Sequence, residues 1–347
     1  MSTKINLNEV LASNRYFLHE CTHADASFIA LEEHELLNSS FLDHRIKVKP
    51  NASRFKVKID PILCSDVWKN RQDFAPPAYI FHLSHVGSTL VAKALGQADT
   101  CLSLREPVPL RNLAALFREA GEPHSWVSTC RLQELLDYVV FHLARPFNYR
   151  TEVLVKCTSW VNEIAHLLLA NQQSRALVLY CRLEDFVANL LKEGGGLIDL
   201  LGGAANRVRR LNNIQQAKTI YLSELSKGEI AAMTWLVEML TLKIADADRL
   251  NPLMWLDFEN YLKEPISATE DVAHQLHLTW TSADSKRLKS SGLLGNYSKS
   301  NDGRTYSAAD RTKQIEEQKA KHTEEIEKAS KWLAPWLEKY PELMEYA

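Results

Sequence analysis

From residue 78 onward the chain alternates between short, almost wholly apolar runs and longer stretches whose apolar residues recur at helical spacing. The runs "AYIFHL" (78–83), "CLSLRE" (101–106), "EVLVKC" (152–157) and "RALVLYC" (175–181) predict strands buried on both faces. Between and after them, "STLVAKALGQ" (88–97), "PLRNLAALFREA" (109–120), residues 131–144, "WVNEIAHLLLANQ" (160–172) and "LEDFVANLLKEG" (183–194) predict helices. Strands that alternate with helices this way call for right-handed crossovers. The predicted fold class is therefore α/β, a mostly parallel central sheet covered by helices on both faces. Residues 205–250 are helix-rich, "NPLMWLDFENYL" (251–262) returns to a strand, and a helix follows near 268–277. The stretch "KSSGLLGNYSKSNDGRTYS" (289–307) is too polar for core and reads as a loop. Residues 307–332 read as a charged helix running into "KWLAPWLEKY", whose tryptophans dock it on the body.

The first 75 residues carry a different pattern. "RIKVKP" (45–50) and "RFKVKID" (54–60) alternate apolar and basic residues, the period of half-exposed strands, and "DFAPPAYI" then supplies a Pro-Pro break. This divides the chain into residues 1–75, a small β-containing subdomain or sheet extension, and residues 76–347, an α/β domain that includes the C-terminal helix.

Composition adds mainly exclusions. The 347 residues are 46% hydrophobic and 24% charged with a formal net charge of −2, so neither nucleic acid nor an anionic membrane is an expected partner. "MSTKINLNEV" lacks the apolar core of a signal peptide, and no apolar run nears the roughly 20 residues that span a bilayer. A cytoplasmic protein is expected, and a homo-oligomer is compatible with all of this. The six cysteines show no C-x-x-C spacing, which predicts reduced thiols and no zinc knuckle.

Candidate chemistry begins where the first strand meets its helix, at "SHVGSTLV" (84–91). Gly87 lets backbone approach an anion closely, and Ser88 and Thr89 place hydroxyls and N–H groups at a helix N-terminus, where the macrodipole favours negative charge. The same residues serve equally as an ordinary N-cap. The Lys of the ATP- and GTP-binding loop is missing, because Ser88 occupies its place, which disfavours nucleoside triphosphate hydrolysis.

Read together, four segments resemble the sulfotransferase family, whose members take a sulfuryl group from 3′-phosphoadenosine-5′-phosphosulfate (PAPS). His85-Val86-Gly87-Ser88-Thr89-Leu90 stands where the family has its phosphosulfate loop, with His85 in place of Lys or Arg. Arg182, closing "LVLYC", matches the arginine that holds the 3′-phosphate, and Asn189 stands near the serine expected after it. Phe258-Glu259-Asn260-Tyr261-Leu262 with Pro265 is similar to the acidic turn after a later strand. Gly292, Gly295 and Tyr297 match the C-terminal loop that closes over the 3′-phosphate. The resemblance implies a P-loop NTPase-like sulfotransferase architecture. It also implies PAPS as co-substrate, 3′-phosphoadenosine-5′-phosphate (PAP) as product, no metal, and a small-molecule or carbohydrate-like acceptor.

Such transfer needs a base for the acceptor's proton and positive charge near the leaving phosphate. Glu106 closes a strand at the rim where ligands of doubly wound sheets sit, and the resemblance implies that it is the base; the alternative is a surface Glu paired with Arg105. Lys156 ends another central strand and needs an anion or carboxylate there. Arg105 and Arg111 either add positive charge or pair with acids such as Glu106. His82 and His166 read as structural. For Arg207, Arg209 and Arg210 a solvated helix face is favoured over contact with an anionic acceptor. Two alternatives stay open: a non-catalytic PAP- or nucleotide-binding protein of the same fold, and a nucleotide-dependent kinase, which would need a loop cation and an acidic Mg²⁺ ligand.

Overall fold

A computed structural model of the chain describes residues 7–46, 48–49, 52–216, 218–295 and 308–347. Three strands, β1 (Tyr16–Cys21), β2 (Asp25–Ala30) and β3 (Arg54–Lys58), form an antiparallel sheet of their own. The other five are β4 (Ala78–His82), β5 (Cys101–Arg105), β6 (Glu152–Lys156), β7 (Ala176–Tyr180) and β8 (Met254–Asp257). They pair in parallel in the order β5-β6-β4-β7-β8. Every residue of β4 and β5 is buried, the expected state of apolar runs with helices on both faces.

β4 lies at the centre. The chain first crosses to β5 and β6 on one flank and then returns to β7 and β8 on the other. Register brings the strand ends together: Ile80 and Arg105 both align with Lys156, so the loops after β4, β5 and β6 open on one edge. Ligands of doubly wound sheets bind at such carboxyl ends.

Of the two alternatives for the N-terminal part, the strands form a sheet of their own, not an extension of the central one. Several other expectations need correcting. "RIKVKP" is not a strand where it is described; its period-2 pattern finds no neighbouring strand, and Arg45 is drawn to Asp43 instead. The helix expected over 160–172 shrinks to a 3₁₀ turn, Ser159–Ile164, and one α-turn, Ala165–Leu168. Its Asn162 side chain is diverted to the His82 carbonyl and to Glu238, competing with regular helix. A long helix, Gly195–Gln215, starts well before residue 205, because tertiary packing overrides the poor propensity of its glycines. The terminal helix is two, Ala308–Lys321 and Thr323–Lys339.

The N-terminal sheet is fastened to the helix Thr129–Ala144. Fully buried Arg145 donates to the carbonyls of Val10 and Tyr16, and Asn14 donates to the Leu143 carbonyl. Beside them His142 is wholly buried among Phe28, Trp68, Tyr138 and Phe141, and neither ring nitrogen has a hydrogen-bond partner among the described residues. Burial and the neighbouring Arg145 and Arg71 hold its pKa well below the ordinary 6.5.

Candidate functional site

The loop after β4 is turned by three left-handed residues, Ser84 (φ 80°), His85 (φ 53°) and Gly87 (φ 75°). Gly87 caps the helix Ser88–Leu95, and no other residue fits there. A Cβ on Gly87 would lie 1.9 Å from the Phe258 ring, which covers the turn. The N–H groups of Gly87, Ser88 and Thr89 find no acceptor among the described residues, as the first turn of a helix leaves them. His82 sets the loop's root. Its Nδ1 accepts from the Ser84 N–H at 3.0 Å, so its Nε2 carries the proton and donates to the Cys157 carbonyl at 2.9 Å. That fixes one neutral tautomer, the structural role expected of it. Ser84 Oγ meets Ser159 Oγ at 2.5 Å.

Directly across, β5 and β6 end in Arg105-Glu106 and Lys156. Glu106 is a non-glycine residue at φ 54°, held by its N–H to the Lys156 carbonyl at 2.7 Å. Left-handed backbone of this kind costs about 1–2 kcal/mol, so the surrounding structure is imposing it. The Lys156 ammonium, almost wholly buried, pairs with Glu106 Oε1, which supplies the carboxylate that a lysine closing an apolar strand needs. Arg105 does not pair with Glu106. Its buried guanidinium donates to the carbonyls of Leu36, Leu37 and Ser39, and burial pushes its pKa down to about 10. Arg111 stays exposed at the rim.

These elements line a cavity of about 1490 Å³. His85, Gly87, Ser88, Thr89, Leu90, Glu106, Lys156 and Asn189 are on its wall, and Val86 is buried behind it. Asn189 donates to the His85 carbonyl at 2.9 Å, so it braces the loop. Arg182 is exposed at the start of the helix Leu183–Leu191 and is not among the described lining residues; nor are Gly292 and Gly295, although Leu294 between them is. Tyr297 lies outside the described residues.

Sequence reasoning missed several lining residues. Arg311, from the helix Ala308–Lys321, sits with its guanidinium 4.7 Å above the Phe258 ring and its Nε 2.9 Å from Glu259. Its Nη2 is buried without a hydrogen-bond partner among the described residues. The surrounding "AADRTKQIEEQ" reads as an ordinary charged helix face, so only the docking of that helix reveals it. Residues between 34 and 45, among them Asn38, Phe41, Asp43 and Arg45, form the wall beside Glu106, and Trp160 and Asp199 form another. Burial pushes the Asp199 carboxyl up, but Arg207, 3.6 Å away, the Ser84 and Trp160 hydrogen bonds and nearby His85 together outweigh it and hold the group below the usual range.

The basic cluster 207–210 is not a solvated face. Arg207 and Arg210 are buried and share Glu238, at 3.1 and 3.2 Å, while Arg209 alone is exposed and reaches Glu163. Glu238 also accepts from Asn162, which donates to the His82 carbonyl, so this network buttresses the floor under the β4 loop.

No protein-family model matches the chain, and no curated protein does. Among solved structures it is similar to a sulfotransferase domain from the curacin biosynthetic pathway, at 10% identity over 72% of this chain and 98% of that one, with a TM-score of 0.40. It is similar also to the sulfotransferase domain of the Synechococcus PCC 7002 olefin synthase, at 12% identity over 72% and 96%, TM-score 0.39. A sulfotransferase from Mycobacterium avium matches at 10% identity over 76% and 80%, TM-score 0.39. Likeness at this level carries no chemistry over to the chain.

Proposed function

We propose that the chain moves a sulfuryl group from PAPS to a small acceptor. One observation supports this above the others. One cavity holds an anion cradle, made of N–H groups at Gly87–Thr89 and the buried Arg311 Nη2, none with a hydrogen-bond partner among the described residues, and a carboxylate–ammonium pair, Glu106–Lys156. The cradle suits a phosphate or phosphosulfate: donors converge there, and the Phe258 ring, packed where a Cβ on Gly87 would stand, offers an apolar cover. PAPS, when bound, supplies the sulfuryl group and a phosphate leaving group.

The chain's residues do the rest. Gly87, Ser88 and Thr89 bind the anion through backbone and hydroxyl groups, and Arg311 adds a fixed positive charge that is desolvated before the ligand arrives. His85 stands at the same turn and can donate from its imidazole. Lys156 holds Glu106 Oε1, leaving Oε2 to take the proton from the acceptor's hydroxyl or amine. Arg182 and the 292–297 loop remain our candidates for the far phosphate.

Thermal denaturation with PAP, against ATP plus Mg²⁺, tests the donor. PAP alone should stabilise the protein, by about 2.7 kcal/mol at a hundredfold excess over its Kd, and Arg311→Ala should weaken that response at least tenfold in affinity. Stabilisation by ATP–Mg²⁺ without any by PAP would overturn the proposal. Stabilisation by PAP without PAPS turnover on any acceptor would leave a nucleotide-binding protein.

A further inference from the structure

The wall beside Glu106 comes from the N-terminal part of the chain, and it is registered to the very residue that precedes Glu106. Arg105 donates to the carbonyls of Ser39 at 2.7 Å and of Leu36 and Leu37 at 2.8 Å, while its own carbonyl accepts from the Leu42 N–H at 2.7 Å. Four hydrogen bonds thus tie residues 36–42 to the end of β5. From this anchored segment Arg45 extends over the Phe41 ring at 3.5 Å. Buried Asp43 fixes it from the other side, accepting from Arg45 Nε at 2.9 and 3.0 Å and from the Arg45 N–H at 2.9 Å. Held in this way, Arg45 Nη2 lies 3.4 Å from Glu106 Oε2, the oxygen that Lys156 leaves free.

We propose that Arg45 is a positioning residue for Glu106, and that the N-terminal segment carrying it forms the acceptor side of the site. The inference rests on the transferase reading. A carboxylate on a left-handed residue has no backbone reason to keep one plane. Lys156 fixes one of its oxygens and Arg45 the other, so the carboxylate is oriented before an acceptor arrives. The Arg45 contact is longer than the roughly 2.7–2.9 Å of a strong charge-assisted hydrogen bond, so Oε2 is steered without being saturated. An acceptor hydroxyl can therefore donate into the same oxygen while Arg45 stays on Asp43 and Phe41. Asn38, Ser40, Phe41 and His44 line the cavity on this side and would meet the rest of the acceptor.

The test is PAP release from PAPS by the full chain, with water and with a panel of phenols, sugars and amines as acceptors. Wild type is compared with Arg45→Met, which keeps the stack on Phe41, and Arg45→Lys, which keeps the charge. PAP-induced stabilisation is measured for all three. Arg45→Met should keep the wild-type response to PAP and the wild-type KM for PAPS while kcat falls about ten- to a hundredfold, the scale of a small misplacement of a catalytic group. Arg45→Lys should recover part of that loss, which a role in packing alone would not give. Wild-type kcat in Arg45→Met overturns the inference and leaves the transferase reading intact. If Arg45→Met does not fold, Arg45→Lys decides: a several-fold lower kcat at unchanged KM for PAPS supports the role, and wild-type kcat overturns it. A wild type that binds PAP but releases none from PAPS with any acceptor brings down the transferase reading, and this inference with it.

Discussion

Replacing Gly87 with alanine perturbs the loop in two separable ways. The first is conformational: at φ 75° an alanine pays about 1–2 kcal/mol for left-handed backbone. The second is steric. The new Cβ would sit 1.9, 2.2 and 2.3 Å from three atoms of the Phe258 ring, against the roughly 3.5–4.0 Å of normal carbon contact. The ring has little room to yield, since it is buried, lies parallel to Tyr261 at 5.8 Å and carries the Arg311 guanidinium at 4.7 Å. Overpacking of this kind costs about 1–3 kcal/mol, so Gly87→Ala should lose about 2–5 kcal/mol in all. Phe258→Ala by itself should lose about 3–5 kcal/mol through the cavity it leaves. In that background the clash is gone, and Gly87→Ala should cost only the backbone term of about 1–2 kcal/mol. Urea denaturation of the four proteins of this double-mutant cycle measures the coupling, expected at about 1–3 kcal/mol. An equal cost of Gly87→Ala in both backgrounds would refute the reasoning, because the phenylalanine could not then be what reserves this position for glycine.

Two further outcomes follow from buried groups. Glu238→Gln should lower stability by about 3–5 kcal/mol in denaturant, since it leaves Arg207 and Arg210 buried with their shared charge partner removed; a loss under about 1 kcal/mol would contradict the network. His142 is neutral in the fold and takes a proton near pH 6.5 when unfolded, so the unfolded state binds more protons as pH falls. Its penalty is absent above about pH 6.5 and grows below it by up to about 1.4 kcal/mol per pH unit. His142→Leu should flatten the stability curve between pH 6.5 and 5 by that slope, and an unchanged slope would mean that the ring is already charged in the fold.

The central sheet was legible because burial on both faces leaves an unmistakable trace, the apolar runs at 78–83, 101–106, 152–157 and 175–181. The loop after β4 was legible for a local reason: Gly87-Ser88-Thr89 between an apolar run and a helical pattern favours a turn and a helix start. Glu106 and Lys156 could each be placed at a strand end, but their pairing depends on the register of β5 with β6, which no local pattern encodes. Arg311 and Arg45 were out of reach. Both lie in stretches that look solvated, and both enter the cavity only because distant segments dock beside it. The buried arginines at 207 and 210 misled for the opposite reason, since the acid that pairs with them, Glu238, lies about thirty residues on, in a largely buried helix, Lys227–Asp246.

The clamp at Arg105 also bears on how the chain is made. Residues 36–42 are translated well before residue 105, so the four hydrogen bonds that fasten them to Arg105 cannot form until that arginine arrives. The sheet behind them waits longer still, for Arg145. At about 5–20 residues per second the gap is several seconds, during which Phe17, Phe28 and Leu36 have no core to enter. Residues 36–42 are thus sealed only after Arg105 has followed them, and the sheet only after Arg145. A site wall built from residues 36–45 therefore takes its final form only when the strand that carries Arg105 and Glu106 has joined it.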